Sequence, residues 1–259
     1  MEIGDDPQFK VLFNAFREIK MIRVIIPFYN EEKSAVRVLE SIKKVLGSIK
    51  FVVYAVNDGS KDKTLAILEE NKGKYRIRII NHPKNLGVAS AFRSGLEIVN
   101  EEAESGDTIL IMEGDGTSEA RLIPKIVERI ESGVDIVIAS RYVEGGGYRA
   151  FPMMRLILSR MANLILSLRF PYPGVRDYTI FYRGYSAKII KKGLKKYNKN
   201  LIQSKYFTAN SEILTKFFRF KPKAEEIAFV YDYSLKRGAS GLAIKKNLWQ
   251  YFKLILGIV

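Results

Sequence analysis

Thr108-Ile109-Leu110-Ile111-Met112-Glu113-Gly114-Asp115-Gly116 is an apolar run that breaks into two carboxylates with one glycine between them. A strand that ends in an acid-glycine-acid turn puts two hard oxygen ligands where a sheet meets solvent, beside flexible backbone. In an α/β protein that edge is where ligands bind. Asp and Gly are also ordinary turn formers, so the segments around this one decide between a plain turn and a ligand site.

Working outward, strand and helix signals alternate. MIRVIIP from Met21 precedes a helix with Val36, Leu39, Ile42 and Leu46 on one face, and FVVYAV from Phe51 precedes a helix through Leu65 and Leu68. RIRII from Arg76 leads into a helix from about Gly87 to Val99. TILIM leads into a helix through Leu122, Ile126 and Ile130, and VDIVIA follows from Val134. Five short apolar strands separated by amphipathic helices predict an α/β fold, a mostly parallel sheet with helices on both faces. Upstream, Phe9, Leu12, Phe13, Phe16 and Ile19 recur at helical spacing, which predicts an N-terminal amphipathic helix within residues 1–20.

Polar residues cluster just after the strands. The first ends in Pro27-Phe28-Tyr29-Asn30-Glu31-Glu32, where proline stops the ladder and Asn30 is placed to cap the next helix. The second ends in Asn57-Asp58-Gly59-Ser60, and the third runs into Asn85-Leu86-Gly87. In a parallel sheet these loops and Glu113-Gly114-Asp115-Gly116 line one crevice.

With 259 residues and 47% hydrophobic content, the chain is long enough to build a large core. It has no cysteine and one histidine. That excludes a disulfide framework and cysteine nucleophiles, disfavours zinc and leaves oxygen chemistry. No apolar run reaches the length of a membrane-spanning helix, and the N-terminus has the wrong charge for a signal peptide. A cytoplasmic protein, peripheral on the cytoplasmic face of a membrane, is expected.

The net charge of +15 is unevenly spread. Residues 1–140 carry 20 Lys and Arg against 22 Asp and Glu, whereas residues 141–259 carry 23 against 6. This asymmetry predicts that one side of the molecule faces a polyanion, most simply an anionic membrane surface or phosphate groups. Lysines placed for solubility account for part of the excess, notably in KIIKKGLKKYNK at Lys188 to Lys199.

Taken together, PFYNEE at Pro27, NDGSKDKT at Asn57, NLGVASAFRSGL at Asn85 and MEGDGT at Met112 resemble the successive motifs of the inverting family 2 glycosyltransferases. The resemblance holds in order and spacing through Ala139 and implies the Rossmann-like GT-A fold that binds nucleotide sugars. It implies that Pro27, Tyr29, Glu31, Asn57 and Asp58 hold the base and ribose, with Asn85, Gly114 and Asp115 completing the nucleotide-sugar site. It also implies that Glu113 and Asp115 hold a divalent metal, Mg²⁺ or Mn²⁺, on the donor diphosphate, with Asp115 the catalytic carboxylate of the pair. The family more often has aspartate first and, in its lipid-phosphate subgroup, glutamine two residues after the second acid. Here those positions are Glu113 and Thr117.

The second part of the chain narrows the acceptor. SRYVEGGG from Ser140 is followed by Arg155, Ser159 and Asn163, spaced by four so that they share a helix face. This arrangement resembles the polyprenyl-phosphate sugar transferases of the same family, and implies that Arg141, Arg155 and Ser159 bind the phosphate of a polyprenyl (dolichyl) phosphate. The alternative is a surface helix packing through Leu156, Ile157 and Leu164. A phosphate monoester, with a second pKa of about 6, is already a nucleophilic anion at neutral pH and needs only positioning by arginines.

Asp177 in RDYTIFYR matches the aspartate of the family's D-x-T-S-G-F-R segment, with Arg183 at its arginine and Phe181 in place of its glycine. Asp177 is thus a second candidate catalytic residue, as base or as orienter of the acceptor-side arginines. AEEIAFVYDYSLKRGASGL aligns Glu226, Gly238, Ser240 and Leu242 with another family segment. Leu235 falls where the subgroup has arginine and Gly241 where it has lysine, which leaves Arg237 or Lys236 to supply charge to phosphate. The last stretch combines Lys245, Lys246 and Lys253 with Leu248, Trp249, Phe252 and Ile255, a pattern open to an interfacial membrane helix or to core packing.

The expected organisation is an N-terminal helix in 1–20 and a transferase domain in 21–232, with a donor half (21–140) and an acceptor half (141–232). A basic amphipathic segment follows in 233–259. The expected activity is metal-dependent transfer of a hexose from a nucleotide sugar, GDP-mannose ahead of UDP-glucose, to a polyprenyl phosphate, with peripheral membrane contact and no nucleic acid. Two competing expectations are transfer to a glycan hydroxyl with Asp177 as base, and a non-catalytic adaptor on anionic membranes or nucleic acid.

Overall fold

The first strand, β1 (Ile22–Phe28), buries Ile22, Val24, Ile25, Ile26 and Phe28 completely, as a strand covered on both faces must. The computed structural model describes residues 21–237 and 244–257. The helix expected within residues 1–20 lies outside them, as do Gly238, Ser240, Gly241 and Leu242 and the side chains of Lys245, Lys246 and Leu248.

The anticipated alternation is present: β1, α1 (Ala35–Leu46), β2 (Phe51–Asn57), α2 (Thr64–Glu70), β3 (Ile77–Asn81), α3 (Val88–Glu102), β4 (Thr108–Ile111), α4 (Ile123–Glu131) and β5 (Ile136–Ser140). The inner face of α1 is Ala35, Val38, Leu39, Ile42, Val45 and Leu46, while Val36 sits half-buried at its margin. Asn30 caps no helix. It takes a positive φ of 55°, and its Oδ1 accepts from the Lys61 backbone N–H, tying the loop after β1 to the loop after β2.

The second part of the chain joins the same sheet. After β6 (Gly147–Arg149) and the long α5 (Met153–Arg169), β7 (Arg183–Ser186) inserts antiparallel between β4 and β5. The segments α6 (Ala187–Tyr197) and α7 (Thr208–Phe218) precede β8 (Ala224–Ala228), which pairs parallel with β5. The seven-stranded order is β3-β2-β1-β4-β7-β5-β8. The short β9 (Val230–Asp232) pairs parallel with β6 in a separate ribbon, and α8 (Ile244–Ile255) follows. The lysines of α6 point outward, while Ile189, Ile190 and Gly193 form its buried side.

Candidate active site

The parallel strands release β1, β2 and β4 on one side of the sheet, and their loops meet there. Gly114 is required by contact: a Cβ on it would lie 2.7 Å from both the Phe28 ring and the Pro27 carbonyl oxygen. Only glycine lets the acidic turn close against the end of β1. The Ser34 hydroxyl lies 2.9 Å from the Gly114 carbonyl oxygen and 2.6 Å from Glu31 Oε2, bridging the two loops.

Within the acidic turn, the Thr117 hydroxyl lies between the carboxylates, 2.6 Å from Asp115 Oδ1 and 3.2 Å from Glu113 Oε2. The Thr117 N–H also donates to Asp115 Oδ1 at 3.0 Å, and the Lys236 ammonium donates to Asp115 Oδ2 at 2.5 Å. Burial, reinforced by the Asp115 charge, pushes the Glu113 carboxyl up to about 8. Burial also raises Glu31. For Lys236, burial opposes the charge, but Asp115, Glu31 and Glu113 outweigh it and hold the ammonium above its ordinary range.

Two carboxylates and a hydroxyl are hard oxygen donors, and they suit Mg²⁺ or Mn²⁺, which complete their shells with phosphate oxygens and water. Among the described residues no group of three or more His, Cys, Asp or Glu is placed to hold a metal, so Glu113 and Asp115 would share a cation with donors of other kinds.

On the other flank, Asp58 is buried and binds backbone: Oδ1 accepts from Leu86 N–H at 2.9 Å and Oδ2 from Gly87 N–H at 2.8 Å. The Asn57 amide donates to Asn81 Oδ1 at 2.7 Å, so this side chain braces β2 against β3.

Arg141 lines the same cavity as the acidic turn. Its backbone N–H and Nε donate to Asp177 Oδ2 at 3.1 and 2.8 Å, and Nη2 donates to Asp177 Oδ1 and to Thr179 Oγ1, both at 2.7 Å. Asp177 Oδ1 also accepts from Thr179 N–H and Ile180 N–H. Burial alone would raise the Asp177 carboxyl, but Arg141 overrides it and holds it below the usual carboxylate range. Arg155 Nη1 donates to the Tyr233 hydroxyl at 2.9 Å. Asn163, one turn beyond Ser159, is turned into the body, where it binds the Arg176 carbonyl and the Tyr178 N–H. Glu226 Oε1 accepts from Arg176 N–H and Asp177 N–H, which fixes the backbone that carries Asp177.

All these loops open on one cavity of about 650 Å³. Pro27, Tyr29, Glu31, Asp58, Asn85, Glu113, Gly114, Asp115, Arg141, Arg155 and Ser159 line it. Three of the residues expected to act in catalysis or binding are not among its lining: Asn57, Asp177 and Arg237. Arg237 is exposed, and Lys236 is the cation of this loop that faces the carboxylates.

The aromatic wall of Phe151, Tyr231 and Tyr233 was not anticipated. The Phe151 ring centroid lies 5.5 Å from that of each tyrosine. The alternation in Tyr231-Asp232-Tyr233 was the available signal: Tyr231 lines the crevice, while Asp232 accepts from Ser234 N–H and pairs with Arg149.

The mostly parallel sheet, with a cavity at its strand ends lined by Glu113, Asp115, Arg141 and Arg155, has the GT-A architecture of glycosyltransferases. The chain belongs to glycosyl transferase family 2, whose family model matches residues 23–194.

Among curated relatives, the dolichol-phosphate mannosyltransferase of Pyrococcus furiosus is 35% identical over 166 residues. That match spans 64% of this chain and 45% of that protein, so the chain corresponds to less than half of it. The polyprenol monophosphomannose synthase of Mycolicibacterium smegmatis is 28% identical over 192 residues, 73% of this chain and 68% of that protein. Among solved structures, glucosyl-3-phosphoglycerate synthase from Mycobacterium tuberculosis, in complex with Mn²⁺, UDP and glucosyl-3-phosphoglycerate, aligns with a TM-score of 0.63 at 16% identity. It covers 96% of this chain and 82% of its own, and at that identity the likeness concerns the fold.

Proposed function

We propose that this glycosyltransferase moves a hexose from a nucleoside diphosphate to a polyprenyl phosphate at a membrane surface, mannose being the sugar in the names of its relatives. The observation that carries the reading is the pairing of Glu113 and Asp115 with Arg141, Arg155 and Ser159 around one cavity. The carboxylates suit a metal-bound diphosphate, and the arginines with the serine suit a phosphate monoester.

In this scheme Arg141, Arg155 and Ser159 hold the acceptor phosphate facing the sugar. A phosphate oxygen forms the new bond to the anomeric carbon from the side opposite the leaving group, which inverts the configuration. The bond from that carbon to the diphosphate breaks, and its electron pair leaves with the nucleoside diphosphate. Glu113 and Asp115 would hold Mg²⁺ or Mn²⁺, which when bound would supply positive charge to offset the growing negative charge on the leaving group. No base is required. The alternative with a glycan hydroxyl and Asp177 as base fits poorly, because both Asp177 oxygens already accept hydrogen bonds and the residue lies outside the cavity lining.

A lipid acceptor also accounts for α5 and α8. On α5, Met153, Met154, Ile157, Met161, Leu164, Ile165 and Leu168 are exposed, and Asn163 and Leu166 are buried. Of the alternative packing set Leu156, Ile157 and Leu164, Leu156 is half-buried while Ile157 and Leu164 are exposed among the described residues. On α8, Asn247, Gln250 and Leu254 face inward while Trp249 and Phe252 face outward. Trp249 and Phe252 stack at 5.5 Å, with the Lys253 ammonium 5.8 Å from the indole. Arg169 Nε donates to the Ile255 carbonyl and joins the two helices. Apolar and aromatic side chains outside with basic residues beside them suit the interface of an anionic bilayer. No helix among the described residues is long and apolar enough to cross a membrane.

Incubation with labelled GDP-mannose or UDP-glucose, dolichyl phosphate and Mn²⁺ tests the reading. A lipid-linked sugar is expected from one donor. Glycosylation of a hydroxyl acceptor with no lipid product would overturn it.

A further inference from the structure

The chain's only histidine is not used in the transfer chemistry, yet it is buried beside the donor flank of the crevice. His82 Nδ1 lies 2.7 Å from Asp58 Oδ1, and His82 Nε2 lies 2.9 Å from the Ser94 hydroxyl on α3. The row resembles a nucleophilic triad, but Ser94 does not line the crevice and its hydroxyl is committed to the imidazole. Its geometry is that of a brace.

The hydrogen bonds on Asp58 can be counted. A carboxylate offers about four acceptor positions, two on each oxygen. Oδ1 takes His82 Nδ1–H and Leu86 N–H, and Oδ2 takes Gly87 N–H. One position is left, on Oδ2, on a residue that lines the crevice. A single acceptor at that place recognises a single ring N–H. Neutral uracil and guanine carry one on the corresponding edge, where neutral cytosine and adenine carry a bare acceptor nitrogen.

We propose that His82, oriented from behind by Ser94, is a positioning residue for donor-base recognition, holding Asp58 so that its free acceptor selects uracil or guanine nucleotides over adenine and cytosine nucleotides. This rests on the proposed function only in placing the donor nucleotide in this crevice. Without the imidazole, Asp58 keeps only its two backbone donors and a second acceptor position opens on Oδ1, so the carboxylate no longer presents a single acceptor and the selection is lost.

Two substitutions separate bracing from space-filling. The amide nitrogen of asparagine overlays Nδ1, so His82→Asn keeps the bond to Asp58. Glutamine overlays Nε2, so His82→Gln keeps only the bond to Ser94. The measurement is calorimetric titration of the full chain with UDP, GDP, ADP and CDP in Mn²⁺, with thermal unfolding of each variant recorded alongside. The wild type is expected to bind UDP or GDP at least about tenfold more tightly than ADP and CDP, the size of one charged hydrogen bond. His82→Asn is expected to retain that ratio and His82→Gln to lose most of it.

Equal binding of all four nucleotides by the wild type would overturn the inference without any variant. So would equal ratios in the asparagine and glutamine variants. Both results leave lipid transfer untouched, whereas binding of none of the four would remove the proposed donor site as well.

Discussion

Arg141 grips Asp177 through its backbone N–H, Nε and Nη2 at 2.7 to 3.1 Å, with both side chains withdrawn from solvent. Both oxygens of Asp177 are thereby committed to holding an arginine that lines the crevice. Removing one partner of such a pair strands the other charge, at a cost of about 3–5 kcal/mol. Asp177→Ala should lower unfolding stability by that amount in denaturant titration. The milder Asp177→Asn should raise the KM for polyprenyl phosphate while leaving the acidic limb of the pH–rate profile in place. Disappearance of that limb would restore Asp177 as a base.

Lys236 and Arg237 are neighbours with opposite placements, one on Asp115 and one in solvent. Lys236→Met should lower the transfer rate by about tenfold or more, the effect of losing the charge-assisted hydrogen bond to Asp115. Arg237→Ala should stay within about 0.5 kcal/mol of wild type in stability, the usual range for an exposed site, and keep most of its activity. Steady-state rates and unfolding curves on the two variants decide it.

The Glu113 carboxyl is raised from 4.5 to about 8 by burial and Asp115. The folded protein therefore holds this proton more tightly than the unfolded chain does. Its contribution to stability is full below about pH 4.5 and is lost as pH rises through about 8. In metal-free buffer, Glu113→Gln should flatten the decline in melting temperature between those limits. An unchanged slope would show that another group titrates there.

The outward apolar side chains of α5 give a membrane prediction. Leu164→Glu, at a position 59% exposed, should sharply reduce co-flotation with anionic vesicles without changing nucleotide binding. Vesicle binding by the wild type should also weaken with added salt. Vesicle binding equal to wild type in the variant would detach α5 from the lipid surface.

Gly114→Ala would place a methyl group against the Phe28 ring and the Pro27 carbonyl. Overpacking of this kind costs about 1–3 kcal/mol. Because the displaced turn carries Glu113 and Asp115, the loss of activity should exceed what the loss of stability explains. Parallel unfolding and rate measurements check that.

Much of the donor side was legible in residue order. Period and length identified β1 to β5, and each polar cluster sat where a parallel sheet releases its strands. β7 was not legible, because Arg183-Gly184-Tyr185-Ser186 has no apolar alternation and becomes a strand only by pairing with Ile111 and Ile138 on either side. Asn57 and Asp58 are adjacent in sequence and equally polar, yet one braces β3 and the other lines the crevice, since Asn57 is the last residue of β2 and Asp58 the first of the loop beyond it.

By itself, the sequence determined the α/β alternation, the acid-glycine-acid turn at Glu113 to Asp115, and the presence of Arg141, Arg155 and Ser159 as cations and a hydroxyl suited to phosphate. These follow from local periodicity and side-chain chemistry, which need no long-range contact. The tertiary structure alone decided that Asp177 mounts Arg141, that Lys236 rather than Arg237 reaches Asp115, and that His82 braces Asp58. Each of those outcomes depends on which of several similar polar groups the chain brings within 3 Å of another from 24 to 121 residues away.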